Sequence, residues 1–144
     1  MKRGFTMIEI LISISIIAVL TAVGIVSYVS INRNARDAKR LGDIEQLRSA
    51  LELYRSDKGY YPSRGDGIFI AASGLISVTD MTNYIAAIPS DPKGDTNPYM
   101  YKATNLSATT GQYYGYCLAA LTEGITTNNC ASIPTGYTYG TKNP

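Results

Sequence analysis

The chain has 144 residues and a formal net charge of +2, with 13 basic against 11 acidic side chains, too near neutrality to recruit nucleic acid by bulk electrostatics. It contains no histidine. That removes the commonest general base and the commonest zinc ligand together, and leaves a serine or cysteine nucleophile without its usual partner.

The chain opens with Lys2-Arg3-Gly4-Phe5-Thr6-Met7-Ile8-Glu9, followed by 22 uncharged residues from Ile10 to Ile31. About 20 apolar residues suffice to cross a bilayer. The run is too long for the apolar part of a cleaved signal peptide, and no small-x-small site follows it. It is therefore expected to stay attached and span the membrane, with Met1 to Gly4 in the cytoplasm and the chain beyond Asn32 outside. Arg33, Arg36, Lys39 and Arg40 lie just past the span, so the positive-inside rule leaves its orientation open. Glu9 is the anomaly, because an acid at the centre of a membrane helix costs about 2.5–3.5 kcal/mol. It is either an interfacial acid that reaches toward the headgroups or a functional group that needs a cation at similar depth.

The helical pattern continues past the span. Ala35, Ala38, Leu41, Ile44, Leu47, Leu51 and Tyr54 recur at spacings of three and four, the stripe of an amphipathic helix. Arg36, Asp37, Lys39, Arg40, Asp43, Glu45, Gln46, Arg48, Glu52 and Arg55 fall between them and are expected on a solvated face. Lys58-Gly59 reads as the helix stop, with Pro62 forbidding continuation. An unbroken helix from Phe5 to Lys58 is about 80 Å long at 1.5 Å per residue. Gly24 and Ser27 mark its weakest part.

From Gly59 onward glycine, proline, serine, threonine and tyrosine dominate. Tyr60-Tyr61-Pro62-Ser63 with Gly65 and Gly67 reads as a turn and loop. Ile68 to Ile76 is apolar without a clear period, and Thr79 to Ala87 has the pattern of a short helix carrying Met81, Tyr84 and Ile85 inward. Strands are expected at Tyr99 to Lys102, at Tyr113 to Leu121 and near Tyr137-Thr138-Tyr139. They make a small antiparallel sheet on the amphipathic half-helix. The tyrosines serve either as the core of that sheet or as an adhesive or base-stacking surface.

Asp91-Pro92-Lys93-Gly94-Asp95-Thr96-Asn97 offers oxygens to a calcium ion but lacks EF-hand spacing, and Asp-Pro-x-Gly is first a turn signal. Asn105-Leu106-Ser107 has the form of a glycosylation acceptor. No phosphate loop or metal-spaced cluster occurs, so neither a cofactor nor catalysis is expected. Cys117 and Cys130 are the only cysteines. In an exported small domain an even count favours a disulfide, the alternative being two unpaired buried thiols.

Gly4-Phe5-Thr6-Met7-Ile8-Glu9 and the apolar run closely resemble the class III leader of type IV pilins and pseudopilins. The resemblance implies that a prepilin peptidase cuts between Gly4 and Phe5, that the new Phe5 amine is methylated, and that Glu9 pairs with the Phe5 ammonium of a neighbouring subunit during filament assembly. It divides the chain into a leader (1–4), a membrane and filament-core helix (5–31), an amphipathic half-helix (32–58) and a loop-rich head (59–144). The fold it implies is α+β, the pilin fold, with a long N-terminal helix packed on a small antiparallel sheet. Tyr61-Pro62 and Ile88-Pro89-Ser90-Asp91-Pro92 look like loop signatures of major pseudopilins. Lys93 departs from the tryptophan often found there, and no acidic cluster follows the Tyr113 strand. The Cys117/Cys130 pair looks more like the C-terminal loop of pilus-forming pilins. The expected function is therefore a homo-oligomeric subunit of a type IV pilus, handled by the pilus assembly machinery and located in the cytoplasmic membrane and then in an extracellular filament. The alternatives are a pseudopilin of a secretion or competence system and, from another class, a monomeric membrane-anchored adhesin.

Overall fold

The computed structural model describes residues 4–63, 69–75, 80–94 and 96–143, with backbone alone at Val26 and Ser27. Helix α1 runs from Met7 to Lys58. No proline interrupts these residues, and the helix ends where Gly59 takes φ +84° and donates its N–H to the Arg55 carbonyl at 2.7 Å. Only glycine accepts that left-handed conformation without strain. The chain divides into two compact units, Met1–Ala35 and Arg36–Pro144.

In the first unit every described side chain from 4 to 31 is exposed. Ile8, Leu11, Ile17, Leu20 and Val23 each leave more than half their surface uncovered. Ser13, Ser15 and Thr21 donate their hydroxyls to the carbonyls of Glu9, Leu11 and Ile17, one turn back. These three hydroxyls are thereby satisfied without solvent, as a membrane segment requires.

The second unit packs α1 from Arg36 onward against a four-stranded antiparallel sheet of order β1-β2-β3-β4. Its strands are β1 (Ile70–Ala71), β2 (Met100–Leu106), β3 (Tyr113–Ala120) and β4 (Tyr139–Lys142). The register places Tyr101 opposite Leu118, Ala103 opposite Tyr116 and Ala120 opposite Tyr139. This face meets Ile44, Leu47, Ala50, Leu51 and Tyr54 of α1 in one core. Tyr61 and Tyr116 pack edge to face at 4.8 Å, and both hydroxyls reach the Glu52 carboxylate. Tyr99 donates to Asp43 and Tyr101 to the Pro62 carbonyl. The tyrosines therefore fill the core with their rings and satisfy their hydroxyls at its edge.

The sheet departs from the sequence-based expectation in its details. Strand β2 runs on to Leu106, and β4 begins where the Tyr137-Thr138-Tyr139 segment ends. In place of the expected helix at Thr79 to Ala87, the described residues form one 3-10 turn, Met81–Asn83; Met81 and Ile85 are buried and Tyr84 is half-buried. Gly65, Gly67, Ile68, Ile76, Thr79 and Asp95 lie outside the described residues.

A larger correction concerns the first turns of the amphipathic half. Ala35 and Ala38 are exposed and Leu41 is half-buried, whereas Asp37 and Arg40, expected on the solvated face, are only 3% and 2% exposed. The buried stripe of α1 starts with an ion pair and becomes apolar at Ile44. Glu52 is also drawn out of the solvated set, because two core tyrosines donate to it.

Candidate functional site

The N-terminal segment builds its geometry from Thr6. The Glu9 Oε2 atom accepts from both the backbone N–H and the hydroxyl of Thr6, each at 2.7 Å, and the Thr6 hydroxyl oxygen faces the Glu9 N–H at 3.4 Å. This is a reciprocal capping box, Thr-x-x-Glu, satisfying donors that the first helical turn leaves unpaired. The Thr6 role was legible in that four-residue spacing and is absent from the expectations above. Glu9 Oε1 has no partner among the described residues. Phe5 is 86% exposed and stands outside the helix, beside the Gly4 junction.

A second arrangement ties α1 to the head. The Arg40 guanidinium donates to both oxygens of Asp91, at 2.6 and 3.1 Å, and also reaches Asp37 at 2.8 Å and Glu123 at 3.1 Å. Arg36 forms a two-pronged pair with Glu123, both contacts at 2.7 Å, and the Lys93 ammonium joins it at 3.0 Å. Asp37 also accepts the backbone N–H groups of Glu123 and Gly124, while Asp91 accepts the N–H of Lys93. Three cations meet three carboxylates, so the cluster, buried at Asp37, Arg40 and Asp91 and open to solvent at Lys93, is neutral.

Its electrostatics follow from these contacts. Burial pushes the Asp37 and Asp91 carboxyls up, but the Arg40 guanidinium and the backbone donors reverse this and hold both below the usual range. The Arg36 contact, with Lys93 and Arg40, holds Glu123 far below it. Asp91, Pro92, Lys93 and Gly94 do form a turn, closed by the Gly94 N–H on the Asp91 carbonyl at 2.9 Å. The Asp91 side chain belongs to the ion cluster. Among the described residues no group of acids or cysteines has the arrangement of a metal site.

Cys117 on β3 and Cys130 form a disulfide with a Cα–Cα distance of 5.9 Å, which pins the segment following β3 to the sheet.

The prepilin-like junction, the exposed apolar half of α1 and the packing of its second half on an antiparallel sheet define a protein of the type IV pilin-like class. Residues 1–25 match the prokaryotic N-terminal methylation motif, and residues 27–115 match the family of type II secretion system (T2SS), protein G. The chain belongs to that protein G family. Type II secretion system core protein G of Pseudomonas aeruginosa is 31% identical over 124 residues, covering 83% of this chain and 84% of the relative. The Escherichia coli K12 protein of the same name is 32% identical over 99 residues, covering 65% and 68%. That of Vibrio cholerae is 29% identical over 110 residues, covering 69% and 70%. No solved structure matches the chain significantly. These relatives correct the preference for a type IV pilus drawn from the cysteine pair, and favour the pseudopilin alternative over pilus, adhesion and motility. A disulfide loop staples a small head whatever the filament is for, so it carries little information about the system.

Proposed function

We propose that this chain is a building block of a type II secretion pseudopilus. The observation that carries the reading is the coexistence, in one chain, of the methylation motif, an apolar helical half whose described side chains are all exposed, and a head of the secretion protein G family. Apolar side chains such as Ile8, Leu11 and Leu20 need cover that is lipid before assembly and other copies of the same helix afterwards. On this reading prepilin peptidase cuts between Gly4 and Phe5, the Phe5 amine is methylated, and segment 5–31 passes from the cytoplasmic membrane into the filament core. The assembly machinery of the secretion system performs the transfer, and the filament has no enzymatic role.

Glu9 supports this scheme through its two oxygens. Oε2 caps its own helix through Thr6, while Oε1 is left to receive the Phe5 ammonium of an incoming subunit. One carboxylate has lone pairs for both tasks. A misregistered subunit leaves a buried charge unpaired, at a cost of about 3–5 kcal/mol.

The test is made in the host. Mass spectrometry of the purified protein is expected to find N-methyl-Phe5 as the first residue, and Glu9→Ala is expected to enter the membrane but to form few filaments when it is the sole copy. An intact Met1 terminus, or normal filaments from Glu9→Ala, refutes the reading.

A further inference from the structure

The sheet face turned away from α1 carries a feature that the filament scheme does not use. The register puts Lys102 and Thr104 of β2, Gly115, Cys117 and Ala119 of β3, and Gly140 and Lys142 of β4 on this face. Everything that β3 contributes here is small. Over it opens a cleft of about 420 Å³, walled by Thr104, Asn105, Asn129, Lys142 and Asn143 and floored by the Cys117–Cys130 disulfide. Its size lies within the ~300–1,000 Å³ of small-ligand sites.

The two glycines are informative. Neither Gly115 nor Gly140 has a positive φ, so the backbone does not require glycine at either position. A Cβ on Gly115 would stand 2.6 Å from Thr104 Oγ1 and 2.8 Å from Asn105 Nδ2, and one on Gly140 would stand 2.6 Å from Asn128 Oδ1. Glycine inside a strand weakens it, and is tolerated where other groups must come close. Here bare strand backbone lets polar side chains lie across the sheet and line a hollow.

These side chains are also unspent. Thr104, Asn105, Asn129 and Lys142 make no side-chain hydrogen bond or ion pair among the described residues, while Asn143 uses only its Oδ1, accepting from the Tyr116 N–H at 3.3 Å. Lys142 is the single ionised side chain in the lining, and it forms no salt bridge among the described residues. Carboxamides and hydroxyls both donate and accept, which matches the hydroxyls of a sugar. A phosphate is better served by guanidinium forks or clustered N–H groups, which this lining lacks. The disulfide and Ala131 offer an apolar floor for a pyranose ring.

We propose that this cleft binds an acidic sugar unit of a polysaccharide, its carboxylate on Lys142 and its hydroxyls on Asn105, Asn129 and Thr104. The site belongs to the single chain and does not depend on the filament reading. The test is titration of the full chain in detergent micelles with trigalacturonate, with maltotriose and inorganic phosphate as comparison probes, by calorimetry and by NMR of the side-chain amides. Saturable binding of trigalacturonate is expected, shifting the Asn105 and Asn129 amides and weakened about tenfold by Lys142→Ala and again by Asn129→Ala. Both substituted side chains are exposed and unpaired among the described residues, so the variants are expected to keep the native near-UV circular dichroism. Three outcomes overturn the proposal: no saturable binding, wild-type affinity in Lys142→Ala, or phosphate binding more tightly than trigalacturonate.

Discussion

Replacing Arg40 by leucine is the sharpest test of how the head is held to its helix. The substitution removes four charge-assisted contacts, at 2.6, 2.8, 3.1 and 3.1 Å, and leaves Asp37 and Asp91 buried. Taking each contact at about 1.5–3 kcal/mol and adding them gives a loss comparable to the whole stability of a domain, about 5–15 kcal/mol. That sum counts attraction without the desolvation it offsets, so the cost of breaking a buried pair, about 3–5 kcal/mol, is the better figure. The damage is unequal. Among the described residues Asp37 keeps the N–H groups of Glu123 and Gly124, whereas Asp91 keeps that of Lys93 alone. Adding Asp91→Asn to Arg40→Leu should therefore restore more stability than adding Asp37→Asn. The assay is urea unfolding of the full chain in micelles, followed by the near-UV circular dichroism of the tyrosines. A loss below about 1 kcal/mol for Arg40→Leu, or no preference between the two rescues, refutes the assignment of the cluster as the fastening of head to helix.

The same carboxylates set the acid limit. Asp37, Asp91 and Glu123 all have folded pKa values below their unfolded ones, so their contribution is complete above the unfolded value near 4 and is lost as pH falls through the folded values. Wild-type unfolding should become easier in this acid window, and the dependence should be blunted in Arg40→Leu. At the alkaline end burial raises the Tyr99, Tyr101 and Tyr116 phenols, with Asp43 and Glu52 adding to the first and last. Stability should be constant below the unfolded value near 10 and fall as pH rises through the folded ones; an ultraviolet titration in which all phenols ionise together near pH 10 contradicts this. Reduction of Cys117–Cys130, 13 residues apart, should cost about 3 kcal/mol in the chain-entropy account, read as a lower melting temperature with reductant. Thr6→Ala should weaken the helix start by about 0.5–2 kcal/mol, seen as faster amide exchange at Met7 to Glu9.

The sequence by itself determined the parts whose cause is local. The uncharged run Ile10 to Ile31 demands an apolar surrounding whatever the rest of the chain does. Spacings of three and four from Ile44 to Tyr54 are enough to place a helix on a core. Gly59 and Pro62 end that helix by backbone sterics alone, and the tyrosine-rich segments have the residue types of a half-buried strand. Thr6 with Glu9 was legible too, as a capping box, because its two partners are one helical turn apart.

What only the tertiary structure decided are the contacts between residues distant in sequence. Asp37 and Arg40 look like ordinary solvated helix charges, since their partners Asp91 and Glu123 are 51 to 86 residues away. No periodicity distinguishes a charge facing water from one facing a buried counter-charge. Ala35 and Ala38 extend the apolar spacing but not the buried face, because the cluster claims that side of the helix. The cleft over Gly115 is likewise invisible until β2, β3, β4 and the Asn128 loop lie side by side. Pairing of strands and of charges depends on which surfaces meet, and that is settled by packing of the whole head rather than by any window of the chain.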